Sequence, residues 1–264
     1  MVRPDLLALD FDGVLCDSVH EAFRSSWEVC RELGVAKAET PPAGLAAAFV
    51  RIRPVLEFGW EFPLPVCALL DGVPEEELRQ NFRATWRRRT LERHGLTREE
   101  LMRRFDAVRD RAIAADLDAW LADQALYPGV ADRLRAALKE GTRVFVITTK
   151  EGRFAHRLLT VHGVDFPADQ VWGKEQARPK PELLRTLIGR YRLPPAGVWF
   201  VEDRLNTLRA VERERDLDGV GLFFATWGYT LPAEVAEARA DRRIAPLTLQ
   251  QFCGDFEGWR RAGA

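Results

Sequence analysis

Leu6-Leu7-Ala8-Leu9-Asp10-Phe11-Asp12-Gly13-Val14-Leu15-Cys16-Asp17-Ser18 is the stretch on which the fold turns. A short apolar run of this kind suits a strand covered on both faces, as in a parallel sheet. It ends in two carboxylates, Asp10 and Asp12, and then Gly13. Charge at the end of a buried strand is costly unless a cation or hydrogen bonds compensate it. Open α/β sheets also bind their ligands at that end. Gly13 permits a sharp turn there, so both acids could face one crevice. A lone D-x-D is more often an ordinary strand-to-turn junction, and only the segments downstream decide between the two readings.

Immediately outward, the pattern becomes helical. Ser18 and Glu21 have the spacing of a capping box, and Val19, Phe23, Trp27, Cys30 and Leu33 follow at helical intervals up to Gly34. Pro41-Pro42 open a second helix through Leu45, Phe49 and Ile52, followed by a proline-rich aromatic connection. A third helix starts at Pro74 with Glu75, Glu76 and Glu77 and ends in Arg87, Arg88, Arg89 and Arg93 before Gly95. Acid first and base last complements the helix dipole, which reads the arginine run as a solvated helix end rather than a nucleic-acid site. Thr97 and Glu100 begin a long helix predicted to continue toward Trp120. Residues 18–125 are thus expected to be wholly helical.

Beyond them, strand and helix alternate. Val144-Phe145-Val146-Ile147 runs into Thr148-Thr149-Lys150, and Val198-Trp199-Phe200-Val201 runs into Glu202-Asp203. Helices are predicted after Tyr127-Pro128-Gly129, from about 152 to 162, over Pro181–Tyr191 and through Leu205, Leu208 and Val211, with a last strand over Val220–Ala225. This is the rhythm of a doubly wound parallel sheet. The fold class is therefore α/β, a Rossmann-like core built from 1–17 and 126–264, interrupted after its first strand by an inserted all-helical domain, 18–125.

With 264 residues and 47% hydrophobic content, the chain can fill a core domain and an insert. A net charge of −1 argues against a general nucleic-acid or membrane surface. No apolar run is long enough to span a bilayer. Arg3-Pro4-Asp5 leads straight into the first strand, unlike a signal peptide, so a cytoplasmic location is expected. Cys16, Cys30, Cys67 and Cys253 lack zinc or C-x-x-C spacing and read as reduced structural thiols. Nothing in the sequence speaks to oligomeric state.

D-F-D-G-V-L-C-D-S, Y-P-G-V, V-I-T-T-K and F-V-E-D, in this order, resemble the haloacid dehalogenase superfamily, in particular its phosphatases with a helical cap after the first strand. The resemblance implies a Mg2+-dependent phosphatase that acts on a small phosphorylated metabolite through an aspartyl-phosphate, of the phosphoglycolate phosphatase kind. Asp10 would be the nucleophile and Asp12 the acid–base group, which the family's dehalogenases lack. Two acids beside a phosphate dianion require a cation. Mg2+ would take Asp10, the Asp12 carbonyl, Asp203 and Glu202, the last directly or through water. Thr207 stands where many relatives have a further acid. Thr148 resembles the phosphate-binding hydroxyl, with Thr149 as a possible substrate contact.

For the phosphate-binding base, the family's K-P-x-P-E pattern lands on Arg178, whereas a shift of two residues lands on Lys180. Lys180 is preferred, because a compact ammonium can pair with a carboxylate and a phosphoryl oxygen together. Lys150 is a weaker competitor, because two residues past Thr148 it can face either the site or solvent. Trp227-Gly228-Tyr229 also resembles relatives, and is read as a packing turn near the site.

In the helical insert, Arg51 and Arg53 cannot share a helix face. Pro54 disfavours helical geometry at Arg53, so Arg53 either marks a break aimed at an anionic substrate or is a surface arginine at a helix end. Two alternatives to hydrolysis accompany the resemblance: a sugar-phosphate phosphomutase with the same intermediate, and a non-catalytic binding module.

Overall fold

The computed structural model describes residues 3–259. The strands are β1 (Leu6–Leu9), β2 (Cys16–Asp17), β3 (Ala125–Leu126), β4 (Arg143–Ile147), β5 (Val171–Trp172), β6 (Val198–Glu202), β7 (Gly221–Ala225) and β8 (Ile244–Leu247). Six of them form one sheet in the order β5-β4-β1-β6-β7-β8, and every pairing in it is parallel. β1 lies between β4 and β6 and is buried at all of its residues, as its continuous apolar run requires.

The described residues form two compact units, 3–17 with 125–259 and 18–124. In the first, the sheet's side chains alternate. After α8 (Val130–Lys139) and α9 (Gly152–Val161) come α10 (Lys180–Tyr191) and α11 (Leu205–Glu212), and Leu6, Ala8, Phe145, Ile147 and Phe200 pack in one layer with Leu184 and Leu187 of α10 and Leu208 of α11. On the opposite face Trp199 meets Phe223 at 4.9 Å and Trp259 at 5.7 Å. Each large side chain so buried stabilises the fold by about 1.5–3 kcal/mol relative to exposure. The strand β8 was not legible in the sequence, where Pro246 argues against a strand. It is tolerated because β8 is the sheet's edge.

The second unit contains α1 (Val19–Glu32), α2 (Leu45–Ile52), α3 (Pro63–Leu70), α4 (Glu75–Asn81), α5 (Arg87–Arg93), α6 (Arg98–Ala115) and α7 (Leu117–Ala122), with a π-turn at Phe82–Trp86. Phe62 stands edge-on to Phe49 and Phe105 in its core, with ring centroids 6.4 and 5.6 Å apart. The arginine run is ion-paired, Arg87 with Glu61, Arg88 with Glu92 and Arg93 with Asp71. The four cysteines are free, and Cys30 and Cys67 touch through their sulfurs at 2.9 Å.

Four expectations need correction. Ala125 is not part of the helical segment; it pairs with Asp17 in the antiparallel ladder β2–β3. Ser18 makes no side-chain cap: its backbone (φ −109°, ψ 15°) is not in the extended region that a capping residue adopts, and the Glu21 carboxylate, the other half of a capping box, is engaged by Arg109. The long helix stops at Ala115, since Asp116 is extended and its carboxylate caps α7 at the Ala119 amide (2.9 Å). The break that Pro54 favours is present, since α2 ends at Ile52 and a 3-10 turn spans Arg53–Val55, but Arg53 does not leave helical angles (φ −46°, ψ −38°). Nor is it a surface residue: its guanidinium donates to the Leu56 carbonyl (3.0 Å) and lies 4.5 Å from the Phe62 ring centroid, buried.

Candidate active site

Parallel pairing of three neighbouring strands delivers the acidic residues and Thr148 to the same end of the sheet. Asp10 follows β1 and its amide donates to the Val201 carbonyl (3.0 Å), while Glu202 ends β6 and Asp203 follows it. Thr148 follows β4 with its amide on the Trp172 carbonyl (2.9 Å). The chain then turns at Gly13, whose φ of 90° suits only glycine without strain. Its amide closes the turn on the Cys16 carbonyl (2.9 Å).

Asp10, Glu202 and Asp203 are buried, and one oxygen from each lies within 4.8 Å of the others. Lys180, at the start of α10, places its Nζ 2.5 Å from Asp10 Oδ1 and 2.5 Å from Glu202 Oε2. Glu202 Oε1 accepts from the Arg204 amide (3.0 Å). Asp203 Oδ2 accepts from the Tyr229 amide (2.8 Å), and Arg204 Nε lies 3.9 Å from its Oδ1. The cations do not balance the acids. Burial, opposed by Lys180, pushes the Asp10 carboxyl up to about 6, with Asp203 and Asp12 adding to the rise. Burial and then the charge of Asp10 push Glu202 up to about 8. Burial would lower Lys180, yet Asp10 and Glu202 hold it above its ordinary value.

An all-oxygen donor set with surplus negative charge fits a hard divalent cation. The close approach of the backbone fits too: a Cβ on Gly13 or Gly228 would collide with the Asp203 side chain.

Other candidates are placed as follows. Thr148 is buried, and its hydroxyl oxygen accepts from the Lys150 amide (3.1 Å). Thr149 is exposed. Arg178 is bound to Thr186 Oγ1 (3.2 Å) and Gln176 Oε1 (3.4 Å), so Lys180 and not Arg178 meets the carboxylates. Thr207 sits in the first turn of α11, its amide on the Arg204 carbonyl. Arg53 belongs to the other unit.

Lys150 does not face solvent. Its side chain is 8% exposed and its Nζ lies 3.1 Å from Asp12 Oδ1. The loop after β7 does more than pack: besides the Asp203 contact, the Tyr229 hydroxyl donates to Asp17 Oδ1 (2.8 Å) and Trp227 Nε1 to the Val14 carbonyl (3.1 Å). The W-G-Y run after a strand was the available signal, but a polar backbone contact leaves no mark in side-chain type.

A buried acidic trio at the carboxyl ends of adjacent parallel strands, with one lysine bridging two of its members, is a donor set that fits a divalent cation on an α/β core. The family model for haloacid dehalogenase-like hydrolases matches residues 4–213, and the chain belongs to that family. Among curated relatives, a phosphoglycolate phosphatase of Pseudomonas putida is 27% identical over 232 residues, 86% of this chain and 71% of that protein. One from Pasteurella multocida is 28% identical over 119 residues, 44% of this chain and 51% of that protein. The chain spans about half the length of most of the curated relatives it matches. CbbY from Rhodobacter sphaeroides, solved in complex with phosphate, shares the fold with a TM-score of 0.56 at 19% identity, over 97% of this chain and 99% of that one.

Proposed function

We propose that this chain is a Mg2+-dependent phosphatase that hydrolyses a small phosphorylated metabolite through an aspartyl-phosphate. The observation that carries the reading is the site of Asp10, Glu202 and Asp203 with Lys180 bridging two of its acids. The phosphoglycolate phosphatase relatives support a small phosphorylated acid as the first substrate to try. In this reading Asp10, Asp203 and Glu202 hold Mg2+, which when bound supplies positive charge beside the phosphoryl oxygens.

Asp10 carboxylate oxygen attacks phosphorus as the bond from phosphorus to the leaving oxygen breaks, and the Asp12 carboxyl gives that oxygen its proton. Asp12 then takes a proton from water, whose oxygen attacks phosphorus and displaces Asp10. Lys180 steadies Asp10 and offers charge to the transferring group, while Thr148 donates to a phosphate oxygen. The helical unit, residues 18–124, serves as the cap that selects the leaving group.

A panel of phosphorylated metabolites, assayed for phosphate release with Mg2+ and with EDTA, tests the proposal. Release should need Mg2+, and Asp10→Asn should lower it by at least about 10³-fold, because covalent catalysis cannot survive the loss of its nucleophile. Phosphoryl transfer to an acceptor sugar without release would favour a mutase, and turnover by Asp10→Asn near the wild-type rate would remove Asp10 from the role.

A further inference from the structure

Asp12 stands apart from the acids around it. Among the described residues, the group able to hold a metal comprises Asp10, Glu202 and Asp203, without Asp12. The Asp12 side chain is 24% exposed, against 1% for Glu202 and for Asp203. Its charge partner is also separate. Lys180 serves Asp10 and Glu202, whereas Lys150 Nζ lies 3.1 Å from Asp12 Oδ1.

Lys150 is well fixed for this. Its amide donates to Thr148 Oγ1 (3.1 Å), its carbonyl accepts from the Lys174 amide (2.9 Å), and its Nζ lies 5.9 Å from the Phe11 ring centroid. A lysine side chain with so little exposure favours an anionic neighbour for its ammonium. A carboxylate paired with a fixed cation in turn loses rotational freedom, which is what proton transfer along a single line needs.

We infer that Lys150 is a positioning residue for the reaction: it holds the Asp12 carboxylate apart from the metal-binding acids and aims it at the leaving oxygen. This rests on the phosphatase reading and on Asp12 as its acid–base group. Lys150 forms and breaks no bond to substrate; it acts through Asp12.

The test compares two substrates that differ in their need for a proton, β-glycerol phosphate with a poor alkoxide leaving group and p-nitrophenyl phosphate with a good one. Lys150→Met should lower kcat on the alkyl ester by about 10²-fold, the scale of general acid catalysis, and on the aryl ester by no more than about fivefold. KM should shift little on either, and Lys150→Arg should restore part of the alkyl activity. Asp12→Asn should show the same alkyl-to-aryl imbalance, and adding Lys150→Met to it should cost little more, because both act in one unit. The aryl activity also reports that the variant is folded. Equal losses on both esters, or a raised KM with kcat kept, would make Lys150 a phosphate-binding or structural residue and overturn the inference, as would full alkyl activity in Lys150→Met. Failure of the phosphatase reading is seen separately, as wild-type protein that releases phosphate from neither ester.

Discussion

Gly13 and Gly228 hold their places because Asp203 occupies the space that any side chain there would need. Gly13→Ala adds a collision to a φ of 90° that only glycine adopts freely. It should lower stability in urea unfolding by about 2 kcal/mol, and a Mg2+ titration of activity should show weaker metal binding, since Asp203 must give way. The surplus of acid gives a second expectation. Asp10 and Glu202 both titrate higher in the fold than in an unfolded chain, so the folded state binds more protons between their two sets of values. In EDTA, Tm should therefore fall as pH rises from about 4 through about 8. Saturating Mg2+ should raise Tm most at the alkaline end, where those protons are gone. A flat profile in EDTA would mean that the acids are already balanced. The acids themselves were legible as residue types at strand ends. The partner of Lys150 was not, because a lysine two residues past a strand can point either way and its anion lies far off in sequence.

At the scale of elements, strands β1, β4 and β6 were readable from unbroken apolar runs, while helix ends were read less well. Ser18 and Glu21 have the spacing of a local cap, yet Glu21 is 1% exposed and accepts from Ser25 Oγ (2.7 Å), Trp120 Nε1 (3.3 Å) and Arg109 Nε (2.8 Å). A charged, buried pair across α1 and α6 outweighs one backbone cap, and the spacing alone carries no trace of Arg109. Glu21→Ala should destabilise the protein by about 3 kcal/mol in urea unfolding, as for removal of one member of a buried pair. A loss below about 1 kcal/mol, the scale of a surface pair, would mean that water compensates Arg109. Similarly, the helical periodicity continues through Asp116, but its carboxylate makes a better cap than a helix interior residue. Arg53 shows the same limit from the other direction. The helix ends before it, as the following proline argues, but stacking on Phe62 and a carbonyl contact turn its side chain into the helical unit, which the sequence did not show.

For the whole molecule, the telling feature is the two-residue ladder of Cys16–Asp17 with Ala125–Leu126. It brings together the two points where the chain leaves and re-enters the α/β unit. Residues 18–124 can then be replaced by a short Gly-Ser linker with little closure cost. The resulting protein should fold, as judged by circular dichroism and a cooperative melt, and should hydrolyse p-nitrophenyl phosphate with weakened discrimination among metabolites. An unfolded product would show that the α/β unit depends on the helical one for stability. The sheet order has a consequence for synthesis. Asp10 is made before the helical segment, whereas the partners of β1 among the described residues, β4 and β6, and with β6 the acids Glu202 and Asp203, are made after it. On the ribosome, the helical segment is complete while β1 still waits with apolar faces uncovered, and the acidic trio does not exist until β6 emerges. Nascent chains halted before β6 should thus be the species that chaperones hold.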